Sequence, residues 1–511
     1  MYSKVNSVAL KGLEGYLVDV ESDVSAGIPD FAMVGFLSSE VKEARERVRT
    51  ALRNSDFTLP PRKITVNLSP ASIRKEGTSF DLAIAVSLLV GFGYVPVRGA
   101  ESVVLMGELS LDGMVLPIQG VLPRVLTARK EGFRTCFVPW DNRLEGAVVE
   151  GMQVIGVRSL EETVHLLRRS DERIPEVCPS FDSLLEASRE VREDFSEVHG
   201  QQAMKRAAEI AAAGMHNLLM IGTPGSGKSM IARRMPGILP CMTMEESLAV
   251  SQVYSVAGLL PPEMPLITER PFRSPHHTIS TAALVGGGRI PHPGEISLAD
   301  RGILFLDELP EFQKTTLEVL RQPMEDREVI ISRVHGACRF PADTMIVAAM
   351  NPCACGYYPD RSRCHCREDD VRRYMQRISR PLLDRMDLCV EAPPVDYRDL
   401  QQSGQGEESS AKIRARVEQV HEIQKMRYRK ERIYFNSQMQ TRHLARYCPL
   451  GAEENSFMRE VFETRGMSAR GYHRVLKVAR TIADLAGSDR IQVTHLMEAV
   501  GYRSQSEKFW G

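Results

Sequence analysis

Eight consecutive residues, Gly222-Thr223-Pro224-Gly225-Ser226-Gly227-Lys228-Ser229, have the types and spacing to hold a nucleotide polyphosphate. They fit the pattern G-x-x-x-x-G-K-[ST] at every position. Glycines let backbone N–H groups close round phosphate oxygens, Lys228 reaches the β- and γ-phosphates, and the Ser229 hydroxyl ligates Mg²⁺. The flanks decide whether such a loop is more than chance. Leu218–Ile221 reads as a short buried strand, and Ser229–Met235 as the first turns of a helix stopped by Pro236. Strand, glycine loop, helix is the order the chemistry needs, because the helix N-terminus adds partial positive charge.

A second group supplies the hydrolytic side. Ile303–Leu306 is an apolar run ending in Asp307 and Glu308, about 80 residues beyond the loop. A buried strand there holds Asp307 for Mg²⁺ and places Glu308 to orient an attacking water. Thr344–Met350 reads as the next strand and ends at Asn351, which can hold that water or the γ-phosphate. ATP and Mg²⁺ are therefore the expected cofactors.

Directly after Asn351 come Cys353-Ala354-Cys355, eight further residues, and Cys364-His365-Cys366. Two C-x-C pairs across a Gly356-Tyr357-Tyr358-Pro359 turn predict a four-thiolate Zn²⁺ knuckle, with His365 as an alternative ligand. The bland alternative is four reduced surface cysteines, which are reactive and unusual. Arg361, Arg363, Arg367, Arg372, Arg373, Arg377 and Arg380 crowd the same stretch, with Tyr357, Tyr358 and Tyr374 among them. That mixture suits a DNA backbone and its bases, with Arg361 and Arg363 as candidate contacts, or else a subunit interface. The pair His276-His277 has no second pair at metal spacing nearby. It reads as a turn with surface or interface histidines, or as a substrate-contacting loop.

These residues need large elements to position them. At 511 residues the chain holds two to four domains. A net charge of -1 leaves nucleic-acid contact to local basic patches. No charged start precedes an apolar segment, and Leu82–Val90 is too short to span a bilayer, so a cytoplasmic protein without membrane contact is expected. The ten cysteines are not expected to form disulfides there.

Residues 1–168 read as an α+β domain. Its strands are Tyr16–Val20, Phe31–Val34, Ile64–Leu68, Val103–Leu105 and Met114–Ile118; its helices are Glu40–Leu52, Asp81–Val90 and Val121–Lys130. Residues 169–193 form a linker with Pro175 and Pro179. The α/β P-loop core spans 194–400, with the knuckle inserted at 351–367. Within it, Ala203–Ala213 and Glu311–Glu325 read as helices, and a polar gap precedes Phe272. Glu328–Arg333 and Gly336–Pro341 form a hairpin with Arg333 and His335 near its tip, both candidate DNA contacts. Residues 401–410 are a second linker, and 411–511 are helical, including Ala411–Arg429, Ser468–Leu485 and Thr494–Val500.

Two stretches of the first domain, Lys75–Asp81 and Gly107–Ile118 with Gly120 following, resemble the proteolytic domain of the Lon family. That family activates a serine with a lysine. Ser79 falls on the serine's position, but the lysine's position is Leu122. Lys75 and Lys130 are conceivable substitutes that nothing in the sequence supports. An unactivated serine is a poor nucleophile, so a non-proteolytic domain is expected.

Elsewhere Phe195–Gln202, the phosphate loop, Arg270–Ser280, Pro293–Leu298, Leu306–Phe312, Asn351–Gly356, Leu382–Asp387 and Ser468–Arg470 resemble the Mg-chelatase-like AAA+ family. With the Lon-like domain, the chain is most similar to its ComM (YifB) branch. The resemblance implies an AAA+ core with a helical lid, assembled as a homo-hexameric ring. It also implies an ATP-driven helicase acting on single-stranded, forked or branched DNA, promoting branch migration in recombination and natural transformation. It puts the arginine finger on Arg385, sensor 1 on Asn351 and sensor 2 on Arg470, and DNA-facing inserts at roughly 270–300 and 328–340. Two other readings stay open. A metal-insertion motor leaves the Lon-like domain and the cysteines unexplained, and an ATP-dependent protease lacks its lysine.

Overall fold

The structure, a computed structural model, describes residues 1–187, 193–333, 336–394, 407–431 and 433–510. His335, residues 188–192 of the first expected linker and 401–406 of the second lie outside the described residues.

The first body is built on a seven-stranded sheet, ordered Asp30–Val34, Lys63–Ser69, Glu14–Ser25, Tyr2–Lys11, Val104–Leu105, Thr135–Pro139, Gln153–Val157. Alternation sets the inner face: Val18, Val20 and Val24 are buried in turn along one strand. The Asp81–Gly91 helix is buried at every position, which is why it shows no amphipathic stripe. The expected Met114–Ile118 strand shrinks to Val115–Leu116, paired with Glu108–Leu109. Pro117 follows at once and has no N–H to give the ladder.

The second body carries a five-stranded parallel sheet, ordered Phe272–Arg273, Ile303–Leu306, Met345–Met350, Leu218–Gly222, Leu388–Ala392. Its three central strands are buried along their whole length, as a sheet covered on both faces must be. Alternate residues feed two cores. Leu218, Met220, Ile303 and Phe305 pack with Val417, Val475 and Ile482 of the C-terminal helices. Leu219, Ile221, Leu304 and Leu306 pack with the Glu328–Pro341 hairpin and with Cys353 and Cys364. One face of the sheet thus carries the helical domain, and the other the hairpin and the cysteines.

Two differences from the sequence reading have local causes. The single helix expected over Glu311–Glu325 is broken into Lys314–Glu318 and Arg321–Asp326. Pro323 removes the donor for the Val319 carbonyl and its ring crowds it. Within the expected polar gap stands a helix, Met244–Ala257, opened by a capping box between Thr243 and Glu246. Its buried face includes Ser247, Ser251 and Ser255, so no apolar stripe marks it, although the T-x-x-E box was readable.

The first body sits directly on this helix. Gly120 N–H donates to Ser255 O at 3.0 Å, and buried Glu145 accepts from the Ser255 hydroxyl and, at 2.8 Å, from Leu122 N–H. The Gly12 turn rests on Cys338 of the hairpin. The C-terminal end of the second linker is also fastened: Glu407 pairs with Lys205 and accepts from Gly200 N–H at 2.9 Å.

Ser79 is 3% exposed, and its hydroxyl meets no hydrogen-bond partner among the described residues. Lys75 is fully buried, donates to the Pro70 carbonyl, and burial lowers its pKa. Lys130 is exposed at a helix end, and Leu122 is buried. A nucleophile needs its base within hydrogen-bond reach, and Ser79 has none. A fluorophosphonate probe is therefore expected to leave Ser79 unlabelled in the intact protein; stoichiometric labelling there would contradict this.

Candidate nucleotide site and cysteine cluster

Leu218–Gly222 delivers the loop at the carboxyl end of the sheet, between the strand that ends at Met350, just before Asn351, and the strand that ends at Ala392. Open α/β sheets bind ligands at that end, where the strand order reverses. Gly227 turns the chain into the Lys228–Arg234 helix at φ +84°, a conformation that suits glycine.

Lys228 is buried and its Nζ donates to Gly222 O (2.8 Å), Thr223 O (2.9 Å), Ser226 Oγ (3.3 Å) and Asn351 Oδ1 (3.3 Å). All four acceptors are neutral. Burial pushes the ammonium down to about 8, against a smaller upward pull from Asp307. Ser229 Oγ donates to Asp307 Oδ2 at 2.7 Å, and Glu308 N–H to Asp307 Oδ1 at 3.0 Å. A buried cation without a counter-charge, beside a hydroxyl and a carboxylate in contact, fits a phosphate chain and its Mg²⁺.

Lys228, Ser229, Asp307 and Asn351 are thus brought together from three adjacent strands. Glu308 stands at the rim, exposed, with φ +51°. Its Oε2 lies 3.5 Å from His277 Nδ1. His277 stacks on His276 with ring centroids 4.0 Å apart and turns an edge to Phe312 at 6.4 Å. Nothing in the sequence pointed to this neighbour for Glu308. It follows from Phe272–Arg273 pairing with Ile303–Leu306, which carries both loops to one end of the sheet.

ATP affinity is expected to fall as pH rises through about 8. Below that value Lys228 is charged in the free protein; above it the ammonium loses its proton. A bound triphosphate raises the lysine's pKa, so binding above pH 8 takes up a proton, and affinity drops by up to about tenfold per pH unit. Titration with a fluorescent ATP analogue between about pH 7 and 9 reads this, and Lys228→Arg, charged throughout, flattens the profile. A pH-independent affinity in the parent protein would sink the assignment.

Arg385 and Arg470 do not join this cluster. The Arg385 guanidinium is 7% exposed, paired with Glu325, and donates to Pro381 O at 2.7 Å. Arg470 is exposed on the first turn of the Ala469–Leu485 helix. One turn on, Arg474 lies 3.7 Å from Asp387, and Arg503 donates to Asp384 at 2.6 Å, so the helical domain grips the turn that carries Arg385.

The four cysteines converge: their sulfurs all lie within 4.8 Å of one another. Cys353 and Cys364 are buried, Cys355 and Cys366 half-buried, and Tyr358 N–H donates to Cys353 Sγ at 3.4 Å. Four sulfurs with an N–H to one of them suit a tetrahedral thiolate site. The arginines around them are partly engaged. Arg363 lies 4.2 Å over Tyr357, and Arg361 lies 5.1 Å over Tyr358 and pairs with Glu368 at 3.0 Å. Arg377 pairs with Glu311 and Arg373 with Asp370. Of the hairpin residues, Arg333 donates to Gly288 O at 3.2 Å, joining the hairpin to the Gly286–Pro293 ribbon of the other insert.

Comparison with known proteins bears on the whole chain. Residues 194–400 match the family described as magnesium chelatase, subunit ChlI; residues 20–142 match the subunit ChlI domain, and 407–503 the ChlI C-terminal domain. The competence protein ComM of Haemophilus influenzae is 41% identical over 503 residues, covering 98% of this chain and 97% of its own. The uncharacterized protein YifB of Escherichia coli is 39% identical over 502 residues, with the same coverage. Lon protease 2 of Bacillus subtilis is 27% identical over 180 residues, 31% of this chain.

Proposed function

The chain belongs to the ComM/YifB family of Mg-chelatase-like AAA+ ATPases, and from that premise we propose that it is a DNA motor, a helicase whose ring couples ATP turnover to strand movement in branch migration, recombination and natural transformation. The family carries ATP hydrolysis with ATP and Mg²⁺. Lys228 would hold the phosphates, Ser229 and Asp307 the Mg²⁺, Glu308 the attacking water and Asn351 the γ-phosphate, with Arg385 and Arg470 completing a site shared between copies of the chain. Bound Mg²⁺ neutralises charge on the transferring phosphoryl group. The cysteine cluster would hold Zn²⁺.

The observation that carries the motor reading is the direct line from the hydrolytic residues to both inserts. The Glu328–Pro341 hairpin runs within a few residues into the strand ending at Asn351. The 270–300 insert leaves the sheet beside Asp307 and carries His277 to Glu308. The two inserts meet at Arg333 and Gly288, so movement of either strand end reaches a shared surface about one strand length, roughly 20 Å, away. Arg333 at that surface, Arg361 and Arg363 on the cysteine segment, and His335, which lies outside the described residues, are the proposed DNA contacts.

No helix of the described residues is long and apolar enough to cross a membrane. Domain limits at 1–168, 194–400 and 411–511, and a cytoplasmic location, are part of the same proposal. The test is ATP-dependent unwinding of forked and four-way DNA, with Lys228→Ala as control. ATPase activity indifferent to every DNA tried, with no unwinding, would remove the motor reading. Stimulation by a tetrapyrrole and partner subunits instead would favour metal insertion, the activity for which the matched family is named.

A further inference from the structure

The turn between the second and third cysteines lies on the phosphate loop itself. At Gly356 the backbone faces Pro224 so closely that an added Cβ would stand 2.5 Å from the proline Cδ and 2.7 Å from its Cγ. Gly356 has φ +87°, and its N–H closes a turn onto Cys353 O at 3.0 Å. Its position is therefore set by the two cysteines within that turn, Cys353 and Cys355. On the far side of Cys353, two residues back, Asn351 Oδ1 meets Lys228 Nζ at 3.3 Å. The cysteine segment thus touches the phosphate loop at two points, the ring of Pro224 and the ammonium of Lys228.

We propose that metal in the cysteine cluster buttresses the phosphate loop, so that zinc occupancy sets nucleotide affinity through the Gly356–Pro224 contact. This rests on the reading of the cluster as a zinc site, and goes beyond it. Residues 351–367 hold few large apolar side chains, and several of their charged groups stand in water. Cys353 and Cys364 enter the core below, and the rest of such a segment relies on its metal for order. With zinc in place, four thiolates fix Gly356, Gly356 limits Pro224, and the loop backbone is held in a binding geometry before ATP arrives. Without zinc the thiols have no common partner, the Gly356 turn is free to leave Pro224, and ordering the loop becomes a cost of binding.

Three measurements on the full-length protein test this. Elemental analysis reads zinc per chain. Titration with a fluorescent ATP analogue follows affinity before and after zinc is withdrawn by a chelator and after it is restored. The same pair of titrations is run on Pro224→Ala, which removes the contact and leaves all four cysteines. We expect stoichiometric zinc, a loss of affinity of at least about fivefold on withdrawal that reverses on restoration, and a much smaller zinc effect in Pro224→Ala whatever its own affinity. Far-UV circular dichroism and the melting temperature, followed throughout, separate a local effect from unfolding. Cys364→Ser with Cys366→Ser should reproduce the zinc-free affinity. Stoichiometric zinc whose withdrawal leaves affinity unchanged overturns the buttress and leaves the zinc site standing. An equal zinc effect in Pro224→Ala also overturns it, because the coupling then runs elsewhere. Absence of zinc from protein purified without chelator overturns both readings. Global unfolding on zinc withdrawal overturns the local contact as the cause.

Discussion

Glu308→Gln will bind ATP as the parent protein does and turn it over about a hundred- to ten-thousand-fold more slowly, the range that removal of a positioned base covers. The substitution keeps the shape of the side chain and its exposed place at the strand end. Lys228 and its partners are untouched, because Glu308 makes no contact with the ammonium and only its backbone N–H meets Asp307. What goes is the negative charge proposed to act on the attacking water. Lys228→Ala is expected to fail at the earlier step: it removes a buried cation beside Asn351 and Ser226, so ATP binding itself weakens. Equilibrium binding and single-turnover hydrolysis on both variants separate the two. Normal turnover in Glu308→Gln would take Glu308 out of the chemistry.

Arg385→Ala should leave ATP binding intact and cut hydrolysis by about a thousandfold or more, the effect of removing an arginine finger. Among the described residues of its own chain Arg385 forms no hydrogen bond or ion pair with the Lys228 cluster and instead pairs with Glu325 and the Pro381 carbonyl. Within one chain it is a structural arginine, and the proposed shared site is what would give it a neighbouring copy's phosphate to reach. Glu325 is half-exposed and hydrates when the arginine is lost, but the guanidinium is buried and its loss also strands the Pro381 carbonyl, so the folding penalty is about 1–3 kcal/mol. A lowered but still cooperative melting transition therefore accompanies the lost turnover. Mixing Arg385→Ala with Lys228→Ala chains should restore part of the activity, since some interfaces then pair an intact Lys228 with an intact Arg385. If no mixing ratio recovers any, the shared site is wrong.

The sequence by itself determined every feature whose physics is local. The phosphate loop fits in eight residues because the backbone must fold round one ligand, and its lysine and serine cannot be elsewhere. The Glu328–Arg333 and Gly336–Pro341 hairpin falls where alternation and a short turn put it. The buried helix at Asp81–Gly91 is legible from its unbroken apolar run, and two C-x-C pairs announce a cluster that the fold then closes to within 4.8 Å. Ser79 without a lysine at position 122 already reads as unactivated, and its burial agrees.

Tertiary structure decided the partners. His277 reaches Glu308 only because the Phe272–Arg273 strand lies beside Ile303–Leu306, and Asn351 reaches Lys228 only because Met345–Met350 lies beside Leu218–Gly222. Glu325 on Arg385, Gly356 on Pro224 and Glu145 on Ser255 are likewise contacts across tens or hundreds of positions. Periodicity reports which side of an element faces a core and does not report which element covers it. That choice is made by strand order and by how side chains fill the two faces of the sheet. It is why the buried serine face of Met244–Ala257 has no apolar stripe in the sequence: the Lon-like domain that covers it meets it through hydrogen bonds such as Gly120 N–H to Ser255 O.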